Sequence, residues 1–162
     1  MTKYTRPIMI LAFVCAVNLA FIWGHSLLSV SLSSGESSRI LRFLLSALHI
    51  EVSPDQFSSL HHLLRKFAHF TEFACLGALS ATITYYISDR DISRTWTVKS
   101  LPILFCLLAA STDETIQIYT GRGNSVSDIL LDFCGSLCAM LVFFIIVLIK
   151  SRSEQKITDP QP

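Results

Sequence analysis

The chain has 162 residues, of which 51% are hydrophobic and only 15% charged, with 13 Lys and Arg against 12 Asp and Glu. That length suits one domain, and that composition does not suit a water-soluble one. A near-neutral balance gives no surface for nucleic acid, so an integral membrane protein is the class that remains.

Lys3 and Arg6 precede an apolar run from Pro7 to about Leu28. It outlasts the roughly 7–15-residue core of a secretory signal and lacks a small-x-small cleavage site, which predicts a retained first transmembrane helix. Asn18 and His25 are its polar residues, expected in an interhelical hydrogen bond and at the membrane interface, respectively.

Residues 29–66 form the only long connection. Ser33-x-x-Glu36 has the pattern of a capping box, followed by Ile40, Leu41, Leu44, Leu45 and Leu48 at helical spacing. The expectation is a short amphipathic helix on the membrane surface or against the bundle. Ser53-Pro54-Asp55-Gln56 predicts a second helix start, with Ser53 as cap and Pro54 at the first helical position. Phe57, Leu60, Leu64 and Phe67 carry that helix into a second span ending near Ile87.

Residues 88–100 read as a charged loop with Trp96 as interface anchor. A third span is expected from about Leu101 to Tyr119, with Pro102 tolerated in its first turn. A turn at Thr120-Gly121-Arg122-Gly123-Asn124 leads to a fourth span, about Ser125 to Ile149. The predicted architecture is all-α: a four-helix transmembrane domain over residues 1–150, an amphipathic segment between the first two spans, and a disordered cytoplasmic tail over 151–162. Eight of the 13 basic residues lie at the termini or in the 88–100 loop, which favours cytoplasmic termini. The five cysteines fall in apolar segments and read as small hydrophobes rather than disulfides or metal ligands.

Against this apolar background the stretch from Asp113 to Gly135 holds Asp113, Glu114, Gln117, Arg122, Asp128 and Asp132. A charged residue near the centre of a spanning helix costs roughly 2.5–3.5 kcal/mol, whereas each Leu, Ile or Phe returns only about 0.3–0.6. Residues 101–119 set eight Leu, Ile and Phe against Asp113 and Glu114. Such a segment needs polar partners, and its ionisable groups are functional candidates by default. Alternation of spans places the start of the second helix, the end of the third and the start of the fourth on one side. At about 1.5 Å per residue, Glu72, Asp113 and Asp132 then reach a common depth.

These residues resemble the VanZ-like family of small bacterial membrane proteins. The resemblance rests on Lys66-x-x-His69-Phe70-x-Glu72-Phe73-x-x-Leu76-Gly77, on Asp113-Glu114-x-x-Gln117, and on Gly121-Arg122-x-x-Ser125-x-x-Asp128 with Gly135 beyond. Thr120 and Asp132 depart from the Pro and Asn frequent in the family. The resemblance implies a polytopic membrane protein, linked in some members to tolerance of teicoplanin-type glycopeptides, and supplies no established reaction.

Lys66, Gln117, Arg122, Ser125 and Asp132 are the candidate ligand-binding residues, and His69, Glu72, Asp113, Glu114 and Asp128 the candidates for acid–base work. The expected ligand is the headgroup of an anionic lipid or lipid-linked cell-envelope precursor, bound near the outer face, with no cofactor and no metal. His61 and His62 read as exposed histidines on a wet helix face. Two other readings stay open. In one, Arg122 pairs with Asp128 or Glu114 and Lys66 with Glu72, and the pairs only fix helix packing. In the other, the carboxylates pass protons or ions.

Overall fold

The computed structural model describes residues 4–27, 30–88, 96–121 and 125–158. Its elements are α1 (Thr5–Leu27), α2 (Val30–Ala47), α3 (Pro54–Ile87), α4 (Trp96–Tyr119) and α5 (Val126–Thr158), with no strand among the described residues. Among the described residues, three stretches are long and apolar enough to cross a membrane: Thr5–Leu27, Ser100–Tyr119 and Val126–Ser153. The expected second span, within α3, does not join them. Its apolar half is diluted by Glu72, Ser80, Thr82 and Thr84. The hydroxyls of Ser80, Thr82 and Thr84 donate to the carbonyls of Gly77, Ala78 and Ser80, so they are satisfied within the helix.

The start of α3 follows its sequence signal closely. Ser53 Oγ accepts from the Gln56 N–H at 3.3 Å while Gln56 Oε1 accepts from the Ser53 N–H at 2.9 Å, and Pro54 occupies the first turn. Two first-turn amides, which have no intrahelical partner, are thereby satisfied or replaced. The other expected start is corrected. Helix α2 begins at Val30, so Ser33 and Glu36 lie inside it and do not cap it. Of its apolar stripe, Leu41 is buried whereas Ile40, Leu44 and Leu48 are exposed. Helix α2 is tied to α3 by a 2.8 Å hydrogen bond between Ser37 Oγ and His61 Nε2, and by the Arg42 guanidinium 5.6 Å from the centre of the Phe57 ring. It ends at Ala47, and in the turn that follows His49 has a φ of 54°, which lets the Ile50 N–H reach back to the Leu45 carbonyl at 3.0 Å.

Two further boundaries differ from the sequence reading. Helix α4 starts at Trp96, inside the expected 88–100 loop, and α5 continues to Thr158. The tail expected to be disordered from 151 is therefore helical to that point; 159–162 lie outside the described residues.

The bundle is built around α3 and α5, its most extensive helix pair, with α1 and α4 packed on them. Two glycines allow this closeness. A Cβ on Gly77 would run into the backbone carbonyl of Ser136, and one on Gly135 into that of Phe70. The Ser136 hydroxyl donates to the Phe73 carbonyl at 3.0 Å across the same seam. Small residues substitute here for a hydrophobic drive that lipid does not provide. The buried core is small, centred on Ile22, Phe73, Leu76, Cys106, Ala110 and Met140. Met9, Phe13, Leu108, Leu141 and Ile149, by contrast, are each more than half exposed. A water-soluble monomer does not present so much apolar surface, and lipid is its matching solvent.

Candidate functional site

Helices α1 and α4 end, and α3 and α5 bring their polar residues, at one end of the bundle. The chain turn after α4 is held by Thr120, whose hydroxyl donates to the carbonyl of Ser26 at the end of α1, 3.2 Å away. Beside it the polar residues of three helices meet. From α3, His69 Nδ1 lies 3.8 Å from Glu72 Oε2 and 4.0 Å from Asp113 Oδ2 of α4. Gln117, one turn on from Asp113, donates from Nε2 to Asp113 Oδ2 at 2.7 Å. Asp132 of α5 completes the group: one donor atom from each of His69, Asp113 and Asp132 lies within 4.8 Å of the others.

This group is deep in the protein. Asp113 is 0% and Asp132 2% exposed, and neither Asp113 Oδ1 nor Asp132 Oδ1 has a hydrogen-bond partner among the described residues. Burying an ionised carboxylate without compensation costs several kcal/mol or more, so the arrangement is costly unless a proton, a cation or a ligand completes it.

Glu114, next to Asp113 on α4, points about 100° away around the helix and does a different job. Its Oε1 accepts from the Ser125 backbone N–H at 2.7 Å, immediately before α5 begins at Val126. A carboxylate at this position satisfies an orphan amide and complements the positive end of α5. The Ser125 hydroxyl is hydrogen-bonded to that of Ser127 at 2.5 Å. Towards solvent, Lys66 Nζ stands 3.1 Å from Asp128 Oδ1, with the side chains 50% and 39% exposed.

Lys66, His69, Glu72, Asp113, Glu114, Gln117, Ser125, Asp128 and Asp132 are thus gathered at one end, as their positions along the helices predict. Arg122 lies outside the described residues. Lys66 takes Asp128 rather than the Glu72 weighed in the sequence, Glu114 accepts from a backbone amide, and the pairing of Arg122 with Asp128 or Glu114 lies outside the described residues. His61 is bonded to Ser37, away from the cluster. Sequence reasoning placed His25 at the membrane interface, yet its ring centre is 6.5 Å from that of His69, which makes α1 a wall of the site. The interhelical bond expected of Asn18 is not made by its Oδ1 among the described residues. The apolar groove between α1, α3 and α4, lined by Cys15, Leu19, Ile83 and Phe105, lies towards the opposite end and is no part of this site.

A helical bundle with an apolar exterior and a carboxylate–imidazole cluster enclosed by four of its helices defines the chain as a membrane protein with a polar interior site. The VanZ/LLP1 family model matches residues 8–148, and the chain belongs to that VanZ-like family. It matches no curated protein and no solved structure at a significant level.

Proposed function

We propose that this VanZ-like protein binds the phosphate-bearing headgroup of an anionic lipid or lipid-linked cell-envelope precursor at the polar end of its bundle. In this reading α3 is a fourth membrane span. At about 1.5 Å per residue its 34 residues measure about 51 Å, more than the roughly 30 Å of hydrocarbon, so its capped first turns stand in water. The termini are cytoplasmic, and the site opens to the outer leaflet of the bacterial inner membrane. Glycopeptide tolerance follows where the bound headgroup belongs to a precursor that such antibiotics recognise.

The observation that carries the proposal is the meeting of His69, Glu72, Asp113 and Asp132 in an apolar bundle beneath a half-exposed Lys66. Lys66 is placed at the rim to meet a phosphate, exchanging its partner Asp128 for a stronger anion. Arg122 follows Gly121 in the sequence and supplies the second cation. His69 and Glu72 are the pair available for proton transfer to a bound group.

A purely structural role has one observation in its favour, the Lys66–Asp128 pair that joins α3 to α5. It does not account for Asp113 and Asp132, which have no Lys or Arg partner among the described residues. Proton passage has less support, because the carboxylates gather at one end and offer no steps across the bundle.

The test is lipid identity. Protein purified in mild detergent should retain a specific anionic lipid, identified by mass spectrometry, that is lost from Lys66→Ala and Arg122→Ala. An unchanged lipid complement in both variants would remove the proposal.

A further inference from the structure

The cluster of His69, Asp113 and Asp132 has more negative charge than the described residues balance. Lys66, the cation nearest to it in the sequence of α3, is engaged with Asp128 at 3.1 Å. Asp113 and Asp132 are each at least 98% buried, and each keeps one oxygen, Oδ1, with no hydrogen-bond partner among the described residues. Glu72 stands beside them, its Oε2 3.8 Å from His69 Nδ1 and likewise without a hydrogen-bond partner among the described residues.

We propose that His69, Asp113 and Asp132, brought together from α3, α4 and α5, hold a divalent transition-metal ion inside the bundle. Their donor atoms lie within 4.8 Å of one another, and His69 Nδ1 is 4.0 Å from Asp113 Oδ2. Donors held about 2.0–2.2 Å from a tetrahedral ion are about 3.4 Å apart, a difference that small side-chain rotations close. An imidazole with two carboxylates suits zinc, manganese or ferrous ion; an all-oxygen set would have suited magnesium or calcium instead. Gln117, donating to Asp113 at 2.7 Å, is the kind of outer partner that fixes the orientation of a ligating carboxylate. Three protein donors leave a coordination position open, with Glu72 next to it.

The ion is inferred from the donor set and does not rest on the headgroup reading. It does supply the positive charge that an anion needs among these carboxylates.

The test uses the full chain, purified in detergent without a polyhistidine tag, stripped with chelator and dialysed against Zn²⁺ with no added lipid. About one zinc per chain is expected in the wild type and in His61→Ala, whose imidazole lies outside the cluster. A loss of at least tenfold in occupancy at a fixed low free-zinc concentration is expected in Asp132→Ala and His69→Ala. No zinc in the wild type, or equal zinc in the cluster variants, would overturn the proposal. Should those variants fail to fold, Co²⁺ added to the wild type decides the matter. The expected result is a visible d–d absorption band that saturates at one equivalent and vanishes on addition of one equivalent of Zn²⁺, and its absence rejects the site. Because the readout is metal content and no lipid is added, failure here leaves the headgroup reading to its own test.

Discussion

The ammonium of Lys66 on α3 stands 3.1 Å from the carboxylate of Asp128 on α5, at the edge of the polar cluster, with half of the lysine side chain exposed. A pair this open to solvent contributes about 0–1 kcal/mol, because water screens it and two flexible side chains must be ordered to form it. Lys66→Met is therefore expected to leave the thermal unfolding midpoint in detergent nearly unchanged while releasing bound anionic lipid. A fall in midpoint of ten degrees or more would assign the pair to stability instead.

At Gly77 and Gly135 the opposite holds. An added methyl group meets backbone on the neighbouring helix, which cannot rotate away as a side chain can. Gly77→Ala and Gly135→Ala should each destabilise the bundle by about 1–3 kcal/mol or more. Gly24→Ala, with open space around its Cβ position, should be neutral or stabilising by up to about 1 kcal/mol. Denaturation in mixed micelles compares the three, and equal effects would refute the close α3–α5 seam.

Glu114 anchors the beginning of α5 through the Ser125 amide at 2.7 Å. Loss of a capping acceptor typically costs about 0.5–2 kcal/mol. Glu114→Ala should accelerate amide hydrogen exchange at residues 125–128, whereas Glu114→Gln, which keeps a carbonyl acceptor, should preserve most of the protection. Identical exchange in both variants would show that the cap has another source.

Asp132 offers a separate test of whether the cluster is maintained for function. It is 2% exposed and has no ion-pair partner among the described residues. Replacing a buried group kept for a ligand commonly stabilises the empty protein. Asp132→Asn should match or exceed the wild-type unfolding midpoint when chelator is present and lose the advantage that added zinc gives the wild type. A markedly lower midpoint in chelator would mean that Asp132 is a structural anchor.

The parts of this molecule that were legible in the sequence are those set by near neighbours. The Ser53–Gln56 box is a local matter of four residues, and the start of α3 follows it. The convergence of Glu72, Asp113 and Asp132 at one depth follows from rise per residue alone. What rise cannot give is rotation. Lys66 and Glu72 lie about 240° apart around α3 itself, so they do not meet; that Lys66 faces Asp128 depends on how α3 turns about its axis against α5, which the Gly77–Ser136 and Gly135–Phe70 approaches decide. Similarly, Asp113 and Glu114 are adjacent in the chain but point about 100° apart around a helix of 3.6 residues per turn, so one enters the cluster and the other caps α5. The trio of His69, Asp113 and Asp132 belongs to three helices and has no spacing to read. His25 carries no signal in α1 that would distinguish an interfacial histidine from one set against His69. The Ser33-x-x-Glu36 pattern misled because a capping box describes two side chains and cannot by itself prevent a helix from starting earlier, as α2 does at Val30.

The glycine seam has a mechanical consequence. With main chain set against main chain at two levels, α3 and α5 form a single stiff strut. A change in bilayer thickness would tilt that strut as a unit, leaving His69 and Asp132 in register. Any opening of the interior would have to come from α1 and α4, and a movement of α4 would carry Asp113 out of the cluster and pull Glu114 from the Ser125 amide.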